Sequence, residues 1–153
     1  MEEKLKLVRA LLSAETTLTL ATVSAEGEAC ATPLFYILDD ELSLYWLSSP
    51  GSRHSLNLLS QPRAEAAVSR SAQGWREIRG VQMRGQVSVV SEPERRKTLL
   101  NIYCERFKLG RIFRLAIRQS ELYCLRPEFF RYLDNARGFG FKFEMTRGNE
   151  GWG

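Results

Sequence analysis

Histidine is almost missing from this chain of 153 residues: His54 is the only one. There are three cysteines, Cys30, Cys104 and Cys124, and no CxxC spacing. One imidazole and no paired thiols exclude a conventional zinc or iron site, so no metal is expected. The cysteines are far apart in apolar segments and read as reduced core residues of a cytoplasmic protein. No apolar run approaches the roughly 18 residues of a membrane span. The start, Met1-Glu2-Glu3-Lys4, is acidic and no apolar h-region follows, so it does not read as a signal peptide. No membrane partner is expected. A dominant charge is missing too: 22 Lys and Arg against 18 Asp and Glu give a formal net charge of +4. The basic residues read as dispersed, which leaves a basic nucleic-acid-binding module as the weaker alternative. No GxGxxG follows a first strand, which excludes a Rossmann dinucleotide site.

What is present is periodic. Hydrophobic residues make up 44% of the chain, enough for one globular domain over residues 1–153. Residues 2–14 place Leu5, Val8, Leu11 and Leu12 at helical spacing. From Thr17 the period is two, and strands are expected at 17–23, 28–38, 42–47, 64–69 and 78–90. Gly27 fits the positive φ of a hairpin turn at Ala25–Glu28. In the longest strand Val81, Met83, Val87 and Val89 form one face, and Gln82, Arg84, Gln86 and Ser88 the other. Gly80 and Gly85 point to a bulge or bend there. Ser91-Glu92-Pro93-Glu94 spells a capping box with Ser91 as N-cap. It opens a helix to about Arg106, with Leu99, Leu100, Ile102 and Tyr103 inward. Residues 107–118 fit a short helix and loop. Strands at 121–125 and 129–134 are interrupted by Arg126-Pro127-Glu128. A turn at 135–140, a short strand at 141–145 and a polar tail at 146–153 follow. Six or seven strands on hairpin-length connections, with two or three helices, imply a mainly β (α+β) fold, an antiparallel barrel with flanking helices.

Several groups of residues have a chemical reading. Ser48, Ser49 and Ser52 precede a short helix whose first turn holds Arg53 and His54. Hydroxyls, free backbone N–H groups and a guanidinium at a helix start suit a phosphate monoester. The same residues also make an ordinary strand-to-helix turn, with Pro50-Gly51 turning and Ser52 capping. Ala31-Thr32-Pro33-Leu34 holds a proline that cannot donate to a sheet ladder and so marks an edge. The free backbone groups of such an edge suit a flat heterocycle, or the proline serves only against aggregation. Tyr45 and Trp46 suit the core more than the stacking of a ligand ring. Gln82 and Arg84 face either solvent or a ligand. Asn135 and Arg137 serve a turn or contact a substrate, while Phe139 and Phe141 read as packing.

Three motifs occur in order: Ser52-Arg53-His54, Ile78-Arg79-Gly80-Val81-Gln82-Met83-Arg84-Gly85, and Asp134-Asn135-Ala136-Arg137-Gly138-Phe139-Gly140. With them the chain resembles the pyridoxamine-phosphate-oxidase-like family of FMN-binding split barrels over about residues 5–145. The resemblance implies a six-stranded antiparallel split β-barrel, a homodimer, and FMN in a cleft between two subunits. Carried over residue by residue, Ala31, Thr32, Pro33 and Leu34 would line the flavin ring. Ser48 and Ser49 would approach the ribityl chain or phosphate, and Ser52, Arg53 and His54 would bind the phosphate. Gln82 and Arg84 would reach the flavin, often across the dimer. Apart from the resemblance, Asn135 and Arg137 either shape the turn or face the cleft and select the substrate, and no side chain is assigned as catalytic. Arg53-His54 stand where the oxidases carry a lysine, and the C-terminal Arg-x-His of the vitamin phosphate site is absent. The expected function is therefore an FMN-dependent oxidoreductase of unknown substrate, distinct from a true pyridoxamine phosphate oxidase. The alternative is a non-catalytic split-barrel binder of flavin, a deazaflavin or haem.

Overall fold

The computed structural model describes residues 1–153. Helix α1 (Glu2–Ala14) buries Val8, Leu11 and Leu12, and Glu2 and Glu3 complement the positive end of its dipole. The strands are β1 (Thr17–Val23), β2 (Ala29–Phe35), β3 (Ile37–Leu38), β4 (Leu44–Ser48), β5 (Arg63–Ser69), β6 (Arg79–Val89), β7 (Glu121–Asp134), β8 (Lys142–Gly148) and β9 (Gly151–Trp152). Helix α2 (Arg53–Ser60) follows β4, α3 (Pro93–Arg106) follows β6, and the short α4 (Arg114–Arg118) precedes β7. The strands run in the order β2-β1-β5-β6-β7-β4-β3, with β8 also on β7 and β9 on β8. Every pairing is antiparallel. This is a split barrel of nine strand segments rather than six.

The extra segments have local causes. The second strand breaks at Tyr36, whose N–H donates to the Thr16 carbonyl and whose hydroxyl donates to the Leu12 carbonyl at 2.5 Å. The first bond extends the β1–β2 ladder by one pair, and beyond it the chain changes partner, β3 pairing with β4. The expected strand start at Leu42 is instead a turn, because the Asp39 carboxylate accepts from the N–H groups of Glu41 and Ser43, both at 2.9 Å. Leu42 takes φ 68° there. The polar tail is a hairpin: β9 folds back on β8 and sets Trp152 against Phe130, ring centres 4.6 Å apart. Residues 75–77 form a single 3-10 turn.

Strand β7 is continuous for 14 residues, through the Arg126-Pro127-Glu128 stretch read as an interruption. Arg84 pairs with Phe129 and Gly85 with Pro127, so Glu128 is the extra residue of a bulge. The bulge accommodates a proline with no N–H to give. It also restores the alternation of faces on each side.

Two cores result. Leu44, Trp46, Tyr123 and Leu125 belong to a cluster of 21 buried residues inside the barrel. Tyr45, Leu122 and Cys124, alternating with them, belong to a second cluster of six under α3. The helix α3 is capped by Glu92, not Ser91: its carboxylate accepts from the N–H groups of Glu94 and Arg95 at 3.0 and 2.7 Å. Only Tyr103 of this helix is buried, and Ile102, expected inward, is exposed. Val89 is also exposed, at the end of the β6 inner face.

Gly85 is where the bulge leaves no room. A Cβ there would lie 2.0 Å from the Arg126 carbonyl oxygen. Gly85→Ala is expected to destabilise the protein by about 3 kcal/mol, the upper range for overpacking, measured as the shift of the urea unfolding midpoint. A change below about 0.5 kcal/mol would show that the bulge relaxes at no cost.

Candidate functional site

The start of α2 carries the serine cluster. Ser52 caps the helix, its Oγ accepting from the Ser55 N–H at 3.4 Å. The same Oγ lies 2.8 Å from the Ser49 carbonyl and 2.7 Å from Ser55 Oγ. Ser48 Oγ is 2.7 Å from His54 Nε2, and both residues are buried. One turn on, Asn57 Nδ2 donates to Thr22 Oγ1 at 3.0 Å, again buried. Thr22 alternates with Leu18 and Leu20 of the core. The inward side of α2 is therefore mostly polar, with Leu58 joining the apolar core, and it packs on β1 and β2. Burial lowers the His54 pKa below its ordinary value of 6.5, so the imidazole is neutral near neutral pH.

The outward side is different. Ser49 and Arg53 are exposed and Ser52 half-buried. Arg53 Nη2 is 3.1 Å from Glu28 Oε2, which ties the helix start to the turn between β1 and β2. Next to it β2 ends the sheet, with one edge on β1 and no strand on the other. Ala31 and Pro33 lie exposed on one face of β2, while Thr32 and Leu34 are half-buried on the opposite face. Loop, guanidinium and open edge thus adjoin. Sequence reasoning missed Glu28, Asn57 and Thr22, because a lone carboxylate in a hairpin and a mid-helix amide carry no pattern.

The other predicted residues lie elsewhere. Gln82 and Arg84 are on the open face of β6, three strands from β2 and so about 14 Å away at ordinary strand spacing. Arg84 pairs with Glu65 at 3.3 Å and lies over the Phe129 ring. Asn135 and Arg137 follow β7 at the Gly80–Leu133 end of the sheet, away from α2. Asn135 is buried, its Nδ2 donating to the Trp75 carbonyl at 2.9 Å and its Oδ1 accepting from Gly140 N–H at 3.0 Å. Arg137 and Arg79 flank the buried Asp134 carboxylate at 3.5 and 3.2 Å. Phe139, read as packing, is 84% exposed and touches Trp75 edge-on. A cleft of about 680 Å³ between the β3–β4 turn and the start of α3 contains none of the predicted site residues.

A split barrel with a serine-rich helix start beside its free edge defines a class, and the comparisons agree. The pyridoxamine 5'-phosphate oxidase family profile matches residues 5–131, and the chain belongs to that family. It is 28% identical over 142 residues to UPF0306 proteins of Yersinia pestis and Yersinia pseudotuberculosis, covering 92% of each chain. Among solved structures, the haem storage protein HutZ of Vibrio cholerae superposes with a TM-score of 0.68 at 22% identity, over 79% of this chain and 87% of that one. ChuZ of Campylobacter jejuni gives 0.81 at 17% identity, over 97% and 61%. A pyridoxamine 5'-phosphate oxidase-related, FMN binding protein of Nostoc punctiforme gives 0.70 at 18%, over 99% and 91%. At such identities the likeness establishes the fold.

The buried imidazole makes stability depend on pH. Its folded pKa lies below the unfolded value of 6.5, so the unfolded chain binds the extra proton first. The melting temperature is expected to fall as pH drops below 6.5. His54→Gln should flatten that part of the profile, and an unchanged slope would assign it to other groups.

Proposed function

We propose that this protein is a cytoplasmic, homodimeric FMN-binding oxidoreductase of unidentified small-molecule substrate. The observation that carries the reading is the contact of Arg53 with Glu28, which sets the one outward cation of the α2 loop beside the free edge of β2. A phosphate would take the place of the Glu28 carboxylate at Arg53, with Ser49 and Ser52 hydroxyls beside it. The open face of β2 carries Ala29, Ala31 and Pro33 before Phe35, which Phe107 covers, and these small residues leave room for a flat ring at van der Waals distance. Ser48 and His54 act from behind, by holding the helix start in place. Bound FMN would supply hydride or electron chemistry, and the chain's own residues bind, orient and set the local charge.

Gln82 and Arg84 join this site only from a second subunit, given their distance from β2. The open sheet face around them has small residues, Thr19, Ala21, Ala31 and Ala67, and no helix upon it, which suits a second copy.

Haem is the second reading, because haem is named for one of the structural neighbours. The chain's one imidazole is turned inward with Nε2 held by Ser48, so it offers no axial ligand at an open cleft, and this favours flavin. A non-catalytic flavin or deazaflavin binder has the same binding site and differs only in turnover.

An absorbance spectrum and mass spectrometry of the ligand released on denaturation test the reading, with FMN expected and a Soret band opposing it. In a fluorescence titration of the ligand-free protein, Arg53→Ala should bind FMN about ten- to a hundredfold more weakly, the loss of one charge-assisted contact. Light scattering should report a dimer. Pyridoxamine phosphate should not be oxidised, and its rapid turnover would make the protein a true oxidase of that substrate.

A further inference from the structure

The basic residues are not dispersed, as the sequence read. Between Glu105 and Glu121 there are five, Arg106, Lys108, Arg111, Arg114 and Arg118, and no acid. The chain's +4 against this segment's +5 leaves the rest of the molecule at −1. Arg106 donates to the carbonyls of Ser13 and Glu15. The other four form no ion pair, although ten ion pairs occur elsewhere in the molecule.

The same segment is bare of cover. A 3-10 turn at Arg111–Phe113 leads into α4, and neither buries a residue. Ile112 is 87% exposed, Leu115 66% and Phe113 44%. Both ends are tied down: Phe107 stacks on Phe35 at 4.5 Å, and Arg96 donates to the Ser120 carbonyl at 2.9 Å. Only the middle projects, with apolar and cationic side chains interleaved.

We propose that residues Lys108–Arg118 dock the protein on an anionic lipid surface. Ile112, Phe113 and Leu115 enter the boundary between headgroups and acyl chains, and Lys108, Arg111, Arg114 and Arg118 lie at the level of the lipid phosphates. Two-fold packing of this segment on its own copy would crowd two sets of unpaired cations together. A nucleic acid would satisfy the cations and leave Ile112 and Leu115 in water. A membrane surface takes both. The attachment is superficial, since no helix is long and apolar enough to cross a bilayer. It revises the expectation of no membrane partner.

The full chain is sedimented with mixed phosphatidylglycerol–phosphatidylcholine vesicles and with pure phosphatidylcholine vesicles, at low and high salt. Binding to the anionic vesicles is expected, weakened by salt and lost on neutral ones. Arg111→Ser with Arg114→Ser should weaken it by about tenfold or more, at roughly fivefold per charge. Ile112→Ser with Leu115→Ser should weaken it comparably. All four side chains are exposed, and circular dichroism checks that the variants fold. No binding, or equal binding to neutral vesicles, overturns the proposal. So does an apolar variant that binds like the wild type while duplex DNA displaces both, which makes this a nucleic-acid surface. An apolar variant that runs as a monomer where the wild type is a dimer overturns it too, because a second copy then covers the patch.

Discussion

Strand β7 has to hold three neighbours at once while carrying a proline in its middle. β6 pairs along nearly its whole length, whereas β4 and β8 share the other edge, β4 over residues 121–125 and β8 over residues 129–133. Pro127 falls in the gap between them, where its missing N–H deprives neither neighbour. On the β6 side the Glu128 bulge and the bare Gly85 let the chains pass. The sheet can then fork, and the fork lets one strand bear a core on each face. The barrel interior packs on one side and α3 on the other. Without the bulge, every side chain beyond it would change face.

Charge contributes little to that framework, with one exception. Most of the ion pairs join exposed side chains, such as Arg63–Glu128 and Arg131–Glu144, and such pairs contribute about 0–1 kcal/mol each. Asp134 is different, being 97% buried in its side chain between Arg79 and Arg137. Its carboxylate also caps the turn through the Ala136 N–H at 3.1 Å. Both arginines are part-exposed and each backs up the other, so losing one of them leaves the carboxylate paired. The Asp134–Gly140 motif that stood out in the sequence therefore has a structural task. It clamps the end of β7 to the turn at Trp75 through Asn135.

The alternation of apolar residues made most strands legible, and β1 and β6 fall within a residue of where the period placed them. The glycines of β6 also announced the bulge, since little else explains Gly85 inside a strand. What periodicity could not reveal was decided at long range. The second strand divides at Tyr36 because the chain leaves β1 there and pairs with β4. Glu92 rather than Ser91 is the cap because the helix begins at Pro93, one residue later than the spelling implies, which puts the Glu92 carboxylate at the N–H groups of Glu94 and Arg95. Trp152 makes the tail a hairpin because Phe130 waits across the fork. In the candidate site the chemistry of the loop was legible but the direction of each side chain was not. Ser48 and His54 are drawn inward by each other, and the partner that orients Arg53 comes from a turn 25 residues earlier.

That division between inward and outward residues shapes what the α2 loop can recognise. The inward serine, histidine and asparagine side chains are neutral and already bonded, so they fix the helix start without offering charge. One guanidinium is left facing out, and it stands against a carboxylate. An anion arriving there exchanges one partner of Arg53 for another, in a setting exposed enough for water to weaken both pairings. Tight binding then has to come from the rest of the ligand, from its contact with β2 and from groups that one chain holds about 14 Å away on β6. If the proposed flavin site holds, such a loop would discriminate by shape and by a second subunit more than by phosphate charge.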